Sequence, residues 1–413
     1  MPGHRDESAE FDPSADEDDD DDHVLSVNMD DWPVLGGPIN LVFGRERTLL
    51  VGKNATGKSS IIESIHYARL AALRKPIVAV LGPKTFEFTF SLAKRPISYS
   101  YSWSYRKPGT DSEVDDVDVD VDEDVEHTAR LEWSEVCKYV DTNEEVWRVE
   151  KGRVSLRGSS HFVMASGAGL LTLDSITDLA FPPEHSQIKK LLHGVSMVGA
   201  GVPRTTAARK VAMLVRDYEY ALAKGAQVKG RDSERIDRVL NLAKYFLRWY
   251  EMDRELFDAT AEILRRLGVL SEIVVEIQDF EEDGRRQHGQ VFVDGVDLGL
   301  LSDGSLRLIE TVVYLVRPAS TVLLLEEPET GIHPGLLRKL LSEIEAYSTI
   351  QQIVMSTHSP IVVNWSKPGD VRLVERSLGK TTIRSLSDDE LRRLSAYLND
   401  DGDFSDFLFS GAV

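Results

Sequence analysis

Apolar residues follow two patterns along the chain, alternation with polar residues and short continuous runs. Leu25–Met29 and residues 39–43 alternate, which is typical of half-buried strands. Continuous apolar runs lie at Thr48–Val51, Thr321–Leu325 and Gln352–Met355. Runs of this length are typical of strands that are buried on both faces of a parallel sheet. The sequence therefore predicts two kinds of sheet in one chain.

Further alternation in the first half predicts an antiparallel sheet. It lies at Thr85–Tyr105, Thr128–Trp133 and Val146–Leu156. Residues 106–127 interrupt it with Pro-Gly and an Asp/Val run. Because eight acids between Asp115 and Glu126 would repel one another, we expect a solvated acidic loop at one hairpin. A calcium site and a DNA-mimicking surface are the alternatives for this loop.

Three- and four-residue apolar spacing predicts that residues 165–280 are mostly helical. The clearest helices are expected at Thr205–Ala223, Ser233–Tyr250 and Asp253–Leu267. A hairpin is expected at Ile273–Phe280 with Gln290–Val293. The most basic part of the chain lies here, at Arg204, Arg209, Lys210, Arg216, Lys224, Lys229, Arg231, Arg235 and Arg238. Acids are interspersed, so both a solvated face and a nucleic-acid or partner surface stay open.

Net charge is concentrated in two segments of this 413-residue chain. Residues 1–23 hold eleven acids and one arginine, and residues 111–126 hold ten acids and no base. These segments account for −20 of the net charge of −21, so the remainder is nearly neutral. We expect residues 1–23 to be a disordered acidic tail. A basic surface on the folded part is therefore not excluded by the overall charge.

The cysteine content and the length of the apolar runs indicate in which cellular compartment the protein lies. Cys137 is the single cysteine, so no intrachain disulfide can form, which fits a reducing cytosol. The N-terminus is acidic and lacks the basic and apolar parts of a signal peptide. No apolar run approaches the roughly 18 residues that span a membrane. The sequence thus predicts a cytoplasmic protein without a membrane segment.

The most specific motif is a P-loop, G-x-x-x-x-G-K-S, between the strand at Thr48–Val51 and a helix at about 58–74. It comprises Gly52, Lys53, Asn54, Ala55, Thr56, Gly57, Lys58 and Ser59, and Ser60 follows. Loop N–H groups, the helix N-terminus and a lysine hold phosphates in such motifs. Lys58 is expected at the β- and γ-phosphates and Ser59 at Mg²⁺. The alternative is a glycine turn with a surface lysine.

Three later stretches suggest the rest of a site. Leu301–Arg307 places Ser302 and Gly304 at the start of a helix to about Val316, either as an anion pocket or as a simple cap. Glu326 and Glu327 end the Thr321 strand, where Glu326 is placed to hold Mg²⁺ and Glu327 to deprotonate water. Solvated acids capping the strand are the alternative.

The third stretch, Gln352–Pro360, is an apolar strand that ends in a polar loop with His358. The imidazole is placed to donate to the γ-phosphate or to hold Glu327 and the water. A lone histidine in such a place is otherwise structural.

In this order the P-loop, LSDGS, LLLEEPETGIHP and STHSP resemble the ABC-type ATPases of the SMC/RecF/OLD group, most closely the small AAA15/AAA_21 proteins. The resemblance is strong over residues 39–66 and 298–365. It implies ATP and Mg²⁺ as cofactors, and two ATPs held between two head domains. Ser302 and Gly304 would then contact the γ-phosphate of the other subunit, Glu326 would take the Walker B role, and Glu327 and His358 would be catalytic base and switch histidine.

Two departures from the family pattern stand out. Glu326 replaces the aspartate of many members while keeping the charge. No glutamine occurs between Ser59 and His185, so the usual Q-loop residue is absent there or replaced. OLD-type proteins often carry a Toprim nuclease. Only 55 residues follow His358, and Asp401-Gly402-Asp403 follows an expected helix end, so we expect no fused nuclease.

The predicted fold class is α/β, a P-loop ABC-type ATPase head with an antiparallel β subdomain and an inserted helical subdomain. Expected parts are the tail at 1–23, an N-terminal lobe at 24–164, a helical insertion at 165–265 and a C-terminal lobe at 266–413. The leading hypothesis is an ATPase switch, at least dimeric, that acts on a separate effector in bacterial anti-phage defence. Alternatives are a RecF- or SMC-like DNA-repair ATPase and an ATP-stabilised scaffold with little turnover.

Overall fold

A computed structural model describes residues 22–73 without 31 and 33, 84–106, 130–150, 153–161 without 158, 170–172, 181–199, 231–278, 288–400 without 319, and 402–410. The strands in these ranges are β1 (His23–Asp30), β2 (Ile39–Val42), β3 (Arg47–Val51), β4 (Thr85–Leu92), β5 (Arg95–Arg106), β6 (Arg130–Tyr139), β7 (Glu145–Glu150), β8 (Arg153–Leu156), β9 (Ser159–His161), β10 (Val195–Val198), β11 (Ile273–Gln278), β12 (His288–Val293), β13 (Val296–Asp297), β14 (Val322–Glu326), β15 (Gln352–Thr357), β16 (Val371–Ser377) and β17 (Lys380–Arg384). The helices are α1 (Lys58–Leu73), α2 (Pro183–Gly194), α3 (Arg231–Met252), α4 (Arg254–Leu267), α5 (Asp303–Val316), α6 (Pro334–Tyr347), α7 (Pro360–Trp365), α8 (Asp388–Asn399) and α9 (Phe404–Phe409).

The first sheet is antiparallel, in the order β2-β1-β4-β5-β6-β7-β8-β9. Alternate residues of β4, among them Phe86, Phe88 and Phe90, are buried, while the intervening residues face outward. This confirms the predicted alternation, because one face of the sheet packs on the core. β6 continues to Tyr139, beyond the predicted end of its strand. The expected acidic loop at 106–127 falls, apart from Arg106, outside the described residues.

The second sheet carries the P-loop. Its order is β10-β14-β15-β3-β16-β17, and all neighbours are parallel except the β16–β17 hairpin. β3, β14 and β15 are buried along their whole length, as their continuous apolar runs predict. Leu324 and Val354 face a core shared with α1 and the antiparallel sheet, and Leu323 and Met355 face a core shared with α3–α9. The sheet is thus the middle of three layers.

The helical part is partly as expected. α3 and α4 confirm the two predicted helices within 233–267, and Asp253 caps α4, which ends at Gly268 in the left-handed region. β11 and β12 confirm the hairpin. The helix expected at Thr205–Ala223 lies outside the described residues. One strand was missed: β10 interrupts the predicted helical region and pairs with β14.

At the chain ends, β1 begins at His23, and residues 1–21 of the expected tail lie outside the described part. α8 ends at Asn399, as expected from the residues before Asp401. No helix in the described ranges has the length and apolar character needed to cross a bilayer. The proposed division into a tail, two lobes and an insertion stays a prediction.

Candidate functional site

The P-loop joins the buried strand β3 to α1, which begins at Lys58. Ala55 and Gly57 have φ values of 60° and 102°, in the left-handed region. A Cβ on Gly52 would lie 2.1 Å from the carbonyl oxygen of Val374 on β16. Glycine is required at this position because the loop backbone touches the neighbouring strand. The loop is therefore held between β3 and the β16–β17 hairpin.

The Lys58 side chain is folded onto this loop. Its Nζ donates to the carbonyl oxygens of Gly52 and Lys53, both at 2.9 Å. Burial lowers the pKa of Lys58 to about 8, and the carboxylates of Glu327 and Glu329 oppose this shift. The amino group of Lys58 is therefore partly buried, with two loop carbonyls as its hydrogen-bond partners and two carboxylates nearby. An anionic ligand bound in the loop would lie within its reach.

Two glutamates at the end of β14 take different positions. Glu326 is buried, with its Oε2 only 2.8 Å from where a Cβ on Gly199 would stand. Glu327 is partly exposed and has a φ of 43°, which is costly for a residue with a Cβ. Its N–H donates to the Ser356 carbonyl at 3.0 Å. This turn of the backbone sends the two carboxylates in different directions.

His358 follows β15 and faces Glu327. Its Nε2 lies 3.6 Å from Glu327 Oε1. Burial and the nearby Lys58 lower the pKa of His358, while Glu327 and Glu329 oppose this shift. Glu329 fixes the loop, because its Oε1 accepts from Thr357 Oγ1 at 2.6 Å and from the His358 N–H at 2.9 Å. Sequence analysis missed this role of Glu329.

A cavity of about 520 Å³ lies over the P-loop. It is lined by Asn54, Ala55, Gly57, Lys58, Ser59, Ser60, Glu327, His358 and Arg376. Residues predicted from three separate stretches thus meet in one place. Arg376 was not predicted; its guanidinium donates to the Val34 carbonyl at 2.9 Å. No local pattern marks it, because β16 is brought to the P-loop only by the sheet order.

Ser302 and Gly304 lie at the start of α5 and do not line this cavity. Ser302 is exposed and caps the helix, accepting from the Ser305 N–H at 3.1 Å. A Cβ on Gly304 would lie 2.4 Å from the Gly331 carbonyl oxygen, so α5 packs tightly on the loop after β14. The cap that sequence analysis gave as the alternative is present, which leaves a further phosphate role as a proposal.

The end of β10 lies beside Glu326, the last residue of β14. β10 pairs with β14, and Val198 lies opposite Leu325, so Gly199 stands next to Glu326. No side chain fits at Gly199 without moving the Glu326 carboxylate. Arg238 of α3 donates to the Gly199 carbonyl at 3.0 Å. Arg238 therefore binds the backbone of the residue that lies beside Glu326.

These residues fit a magnesium nucleotide. The glycine-lined loop leaves room for phosphates, Lys58 would face them with its amino group, and Ser59 and Glu326 carry oxygen atoms of the kind that Mg²⁺ prefers. Among the described residues, no group of three or more His, Cys, Asp or Glu is arranged to hold a metal.

Comparison with known families gives one match. Residues 215–364 match the AAA_21 family, described as "AAA domain, putative AbiEii toxin, Type IV TA system". The matched range holds Ser302, Glu326, Glu327 and His358 but not the P-loop. The comparison with curated proteins gives no match.

Solved structures of SMC heads resemble the chain at a distance. The SMC head domain from Thermotoga maritima has a TM-score of 0.39 and 13% identity, over 88% of this chain and 99% of that one. An Smc head with an extended coiled coil, bound to the C-terminal domain of ScpA and derived from Pyrococcus furiosus, has a TM-score of 0.42 and 12% identity, over 92% of this chain and 100% of that one. The AAA_21 match over residues 215–364, together with the P-loop and the parallel sheet that carries it, supports the resemblance to ABC-type P-loop ATPases that the sequence predicts.

Proposed function

We propose that the protein hydrolyses ATP with Mg²⁺ at a site that a second copy of the chain completes. The observation that carries the proposal is the placement of Glu327 and His358, 3.6 Å apart, on the wall of the P-loop cavity. A carboxylate and an imidazole facing a phosphate cradle are suited to activating water for attack on a phosphoryl group.

Each residue has a separate task in this proposal. The loop N–H groups from Gly52 to Ser59 bind the phosphates, and Lys58 exchanges its two carbonyl partners for phosphate oxygens. Glu327 Oε1 takes the proton of the attacking water, and His358 donates to the γ-phosphate. Ser59 and Glu326 would hold Mg²⁺, which would neutralise charge on the phosphates.

Dimerisation around ATP is part of the proposal. Ser302 and Gly304 lie outside their own cavity, at a helix start with an exposed serine. A helix N-terminus attracts anions, and these N–H groups would meet the γ-phosphate of another copy. The hydrolysis site would then be assembled only when two chains meet.

For the biological role, we propose a switch that acts on a separate effector in bacterial anti-phage defence. The matched family is described as part of a type IV toxin–antitoxin system, which supports a role of this kind. In the basic stretch, Arg235 and Arg238 bind backbone oxygens within the protein, and a nucleic-acid surface on the rest of the stretch stays the alternative.

Two variants test the enzymatic part. Lys58→Ala should abolish ATP binding, because the buried cation at the phosphates is lost. Glu327→Gln should bind ATP and accumulate as a dimer, because hydrolysis no longer separates the copies. Gel filtration with light scattering, with and without Mg²⁺-ATP, measures the oligomeric state of the Glu327→Gln protein. A Glu327→Gln protein that binds ATP and still elutes as a monomer would show that the shared site is wrong.

A further inference from the structure

Arg238, on α3, joins two parts of the ATPase core. Its Nη2 donates to the Gly199 carbonyl at 3.0 Å, and its Nε lies 2.9 Å from Glu310 Oε2. The side chains of Arg238 and Glu310 are 12% and 6% exposed. Because both side chains are this little exposed, the contact belongs to the interior of the fold and is not a surface ion pair.

The carbonyl that Arg238 binds belongs to the residue that touches Glu326. Val198 and Leu325 are register partners, so Gly199 and Glu326 follow side by side at the ends of β10 and β14. The Glu326 carboxylate lies so close to Gly199 that a Cβ there would be 2.8 Å from its Oε2. A shift of the Gly199 backbone would therefore move the Glu326 carboxylate or open a gap beside it.

Glu310, the second partner of Arg238, is connected to the backbone of Glu326 through Arg307. Glu310 lies on α5, one helical turn after Arg307, and the Arg307 guanidinium donates to the backbone carbonyl of Glu326. Burial raises the pKa of Glu310 to about 7, and Arg238 and Arg307 oppose that shift. Arg238 thus acts on the Glu326 side chain through Gly199 and on the Glu326 backbone through Glu310 and Arg307.

A second arginine on α3 binds the start of α5. Arg235 donates to the carbonyl of Gly299 at 3.0 Å and to the carbonyl of Leu301, and pairs with Asp303. One helix therefore contacts both the end of β10 and the loop that leads to Ser302.

We propose that Arg238 is a positioning residue for hydrolysis, which holds the end of β10 and α5 in the arrangement that sets Glu326. The inference rests on the proposed ATPase function. Arginine suits the task, because its planar fork donates in two directions at once and keeps its charge when buried.

Three variants test the role: Arg238→Met, Arg238→Lys, and Arg238→Met combined with Glu310→Gln. We expect Arg238→Met to lower kcat about 10- to 100-fold with KM for ATP within about threefold, since small misplacements act on the chemical step. Arg238→Lys should recover part of kcat, because one ammonium retains the charge but cannot reach both partners well. Arg248→Gln, at an exposed position on the same helix, is the control and should behave as wild type.

The combined variant separates positioning from stability. It removes the unpaired carboxylate that Arg238→Met leaves behind, so the thermal midpoint should return towards wild type while kcat stays low. Recovery of kcat together with the midpoint would overturn the proposal, because charge balance alone would then explain the effect. Wild-type kcat in Arg238→Met would also overturn it, with the ATPase function intact. A wild-type protein without ATP turnover would overturn both proposals.

Discussion

The Nε2 atom of His358 lies 3.6 Å from Oε1 of Glu327, across the mouth of the P-loop cavity. This pair is formed by the ends of neighbouring strands, β14 and β15, whose register places Glu326 beside Ser356. The distance leaves the imidazole free to turn towards either the carboxylate or a bound phosphate.

The His358→Ala variant should lower ATP turnover about 10²- to 10³-fold, the usual effect of losing one donor at a developing negative charge. ATP affinity should change little, because Lys58 and the loop carry the ground-state binding. Phosphate release and fluorescent-nucleotide titration measure the two effects separately. His193→Ala, at an exposed histidine at the end of α2, is the control. Unchanged turnover in His358→Ala would remove the histidine from the mechanism.

Replacing Glu327 with glycine should stabilise the fold while abolishing hydrolysis. The φ of 43° at Glu327 strains a residue that has a Cβ, and glycine adopts this φ without strain. We therefore expect the free energy of unfolding to rise by about 1 kcal/mol. Urea unfolding without nucleotide measures the gain. Ala93→Gly, at a φ of 47° in the β4–β5 turn, should give a similar gain with normal turnover. A less stable Glu327→Gly protein would contradict strain at this site.

Gly304 should prove necessary for packing even without nucleotide. A methyl group there would overlap the Gly331 carbonyl, so Gly304→Ala should destabilise the fold by about 1–3 kcal/mol. Gly335→Ala on α6 is the matched control, since its Cβ would meet His333 only at an ordinary 3.4 Å. Chemical denaturation of the nucleotide-free proteins distinguishes them. Equal stability of the two variants would mean that α5 can move away from the loop.

Stability should fall as pH rises from about 5 to 8 because of Glu135. Burial raises the pKa of this carboxyl to about 8, so the folded state holds a proton that the unfolded state releases above about 4.5. Each pH unit in this window should cost about 1.4 kcal/mol of unfolding free energy. The loss ends near pH 8, where the folded state also ionises.

The Glu135→Gln variant tests this dependence. Glutamine retains an acceptor for the Leu170 N–H, which lies 3.1 Å from Glu135 Oε1, and cannot ionise. Its unfolding free energy should therefore vary less between pH 5 and 8. Glu150→Gln, at an exposed position on β7, should retain the wild-type slope. An unchanged slope in Glu135→Gln would show that another group titrates.

The sequence was informative where one local rule decides the structure. The P-loop spacing and the apolar runs before Glu326 and Ser356 predicted the strands and the residues around the cavity, because the ends of parallel strands meet at one edge. β10 was missed, since Val195–Val198 is too short for a period to show and follows a helix directly. Arg376 was missed because its contact with Val34 joins residues at opposite ends of the chain.

The arginines of α3 illustrate a different limit. Arg235 and Arg238 carry the composition of a nucleic-acid surface, and both turn inward to backbone carbonyls. Composition cannot tell these outcomes apart, because a cation among acids is compatible with solvent, a ligand or a buried carbonyl. Only the position of α3 against β10 and α5 decides.

The bond between Arg238 and Gly199 also bears on how the chain can vary in length. It joins two residues that lie 39 positions apart in the sequence. Because Gly199 is held beside Glu326 by the pairing of β10 with β14, and Arg238 is held on α3, the place of Glu326 depends on these two anchor points and not on the number of residues between them. Changes of length between the two anchor points should therefore leave Glu326 in register.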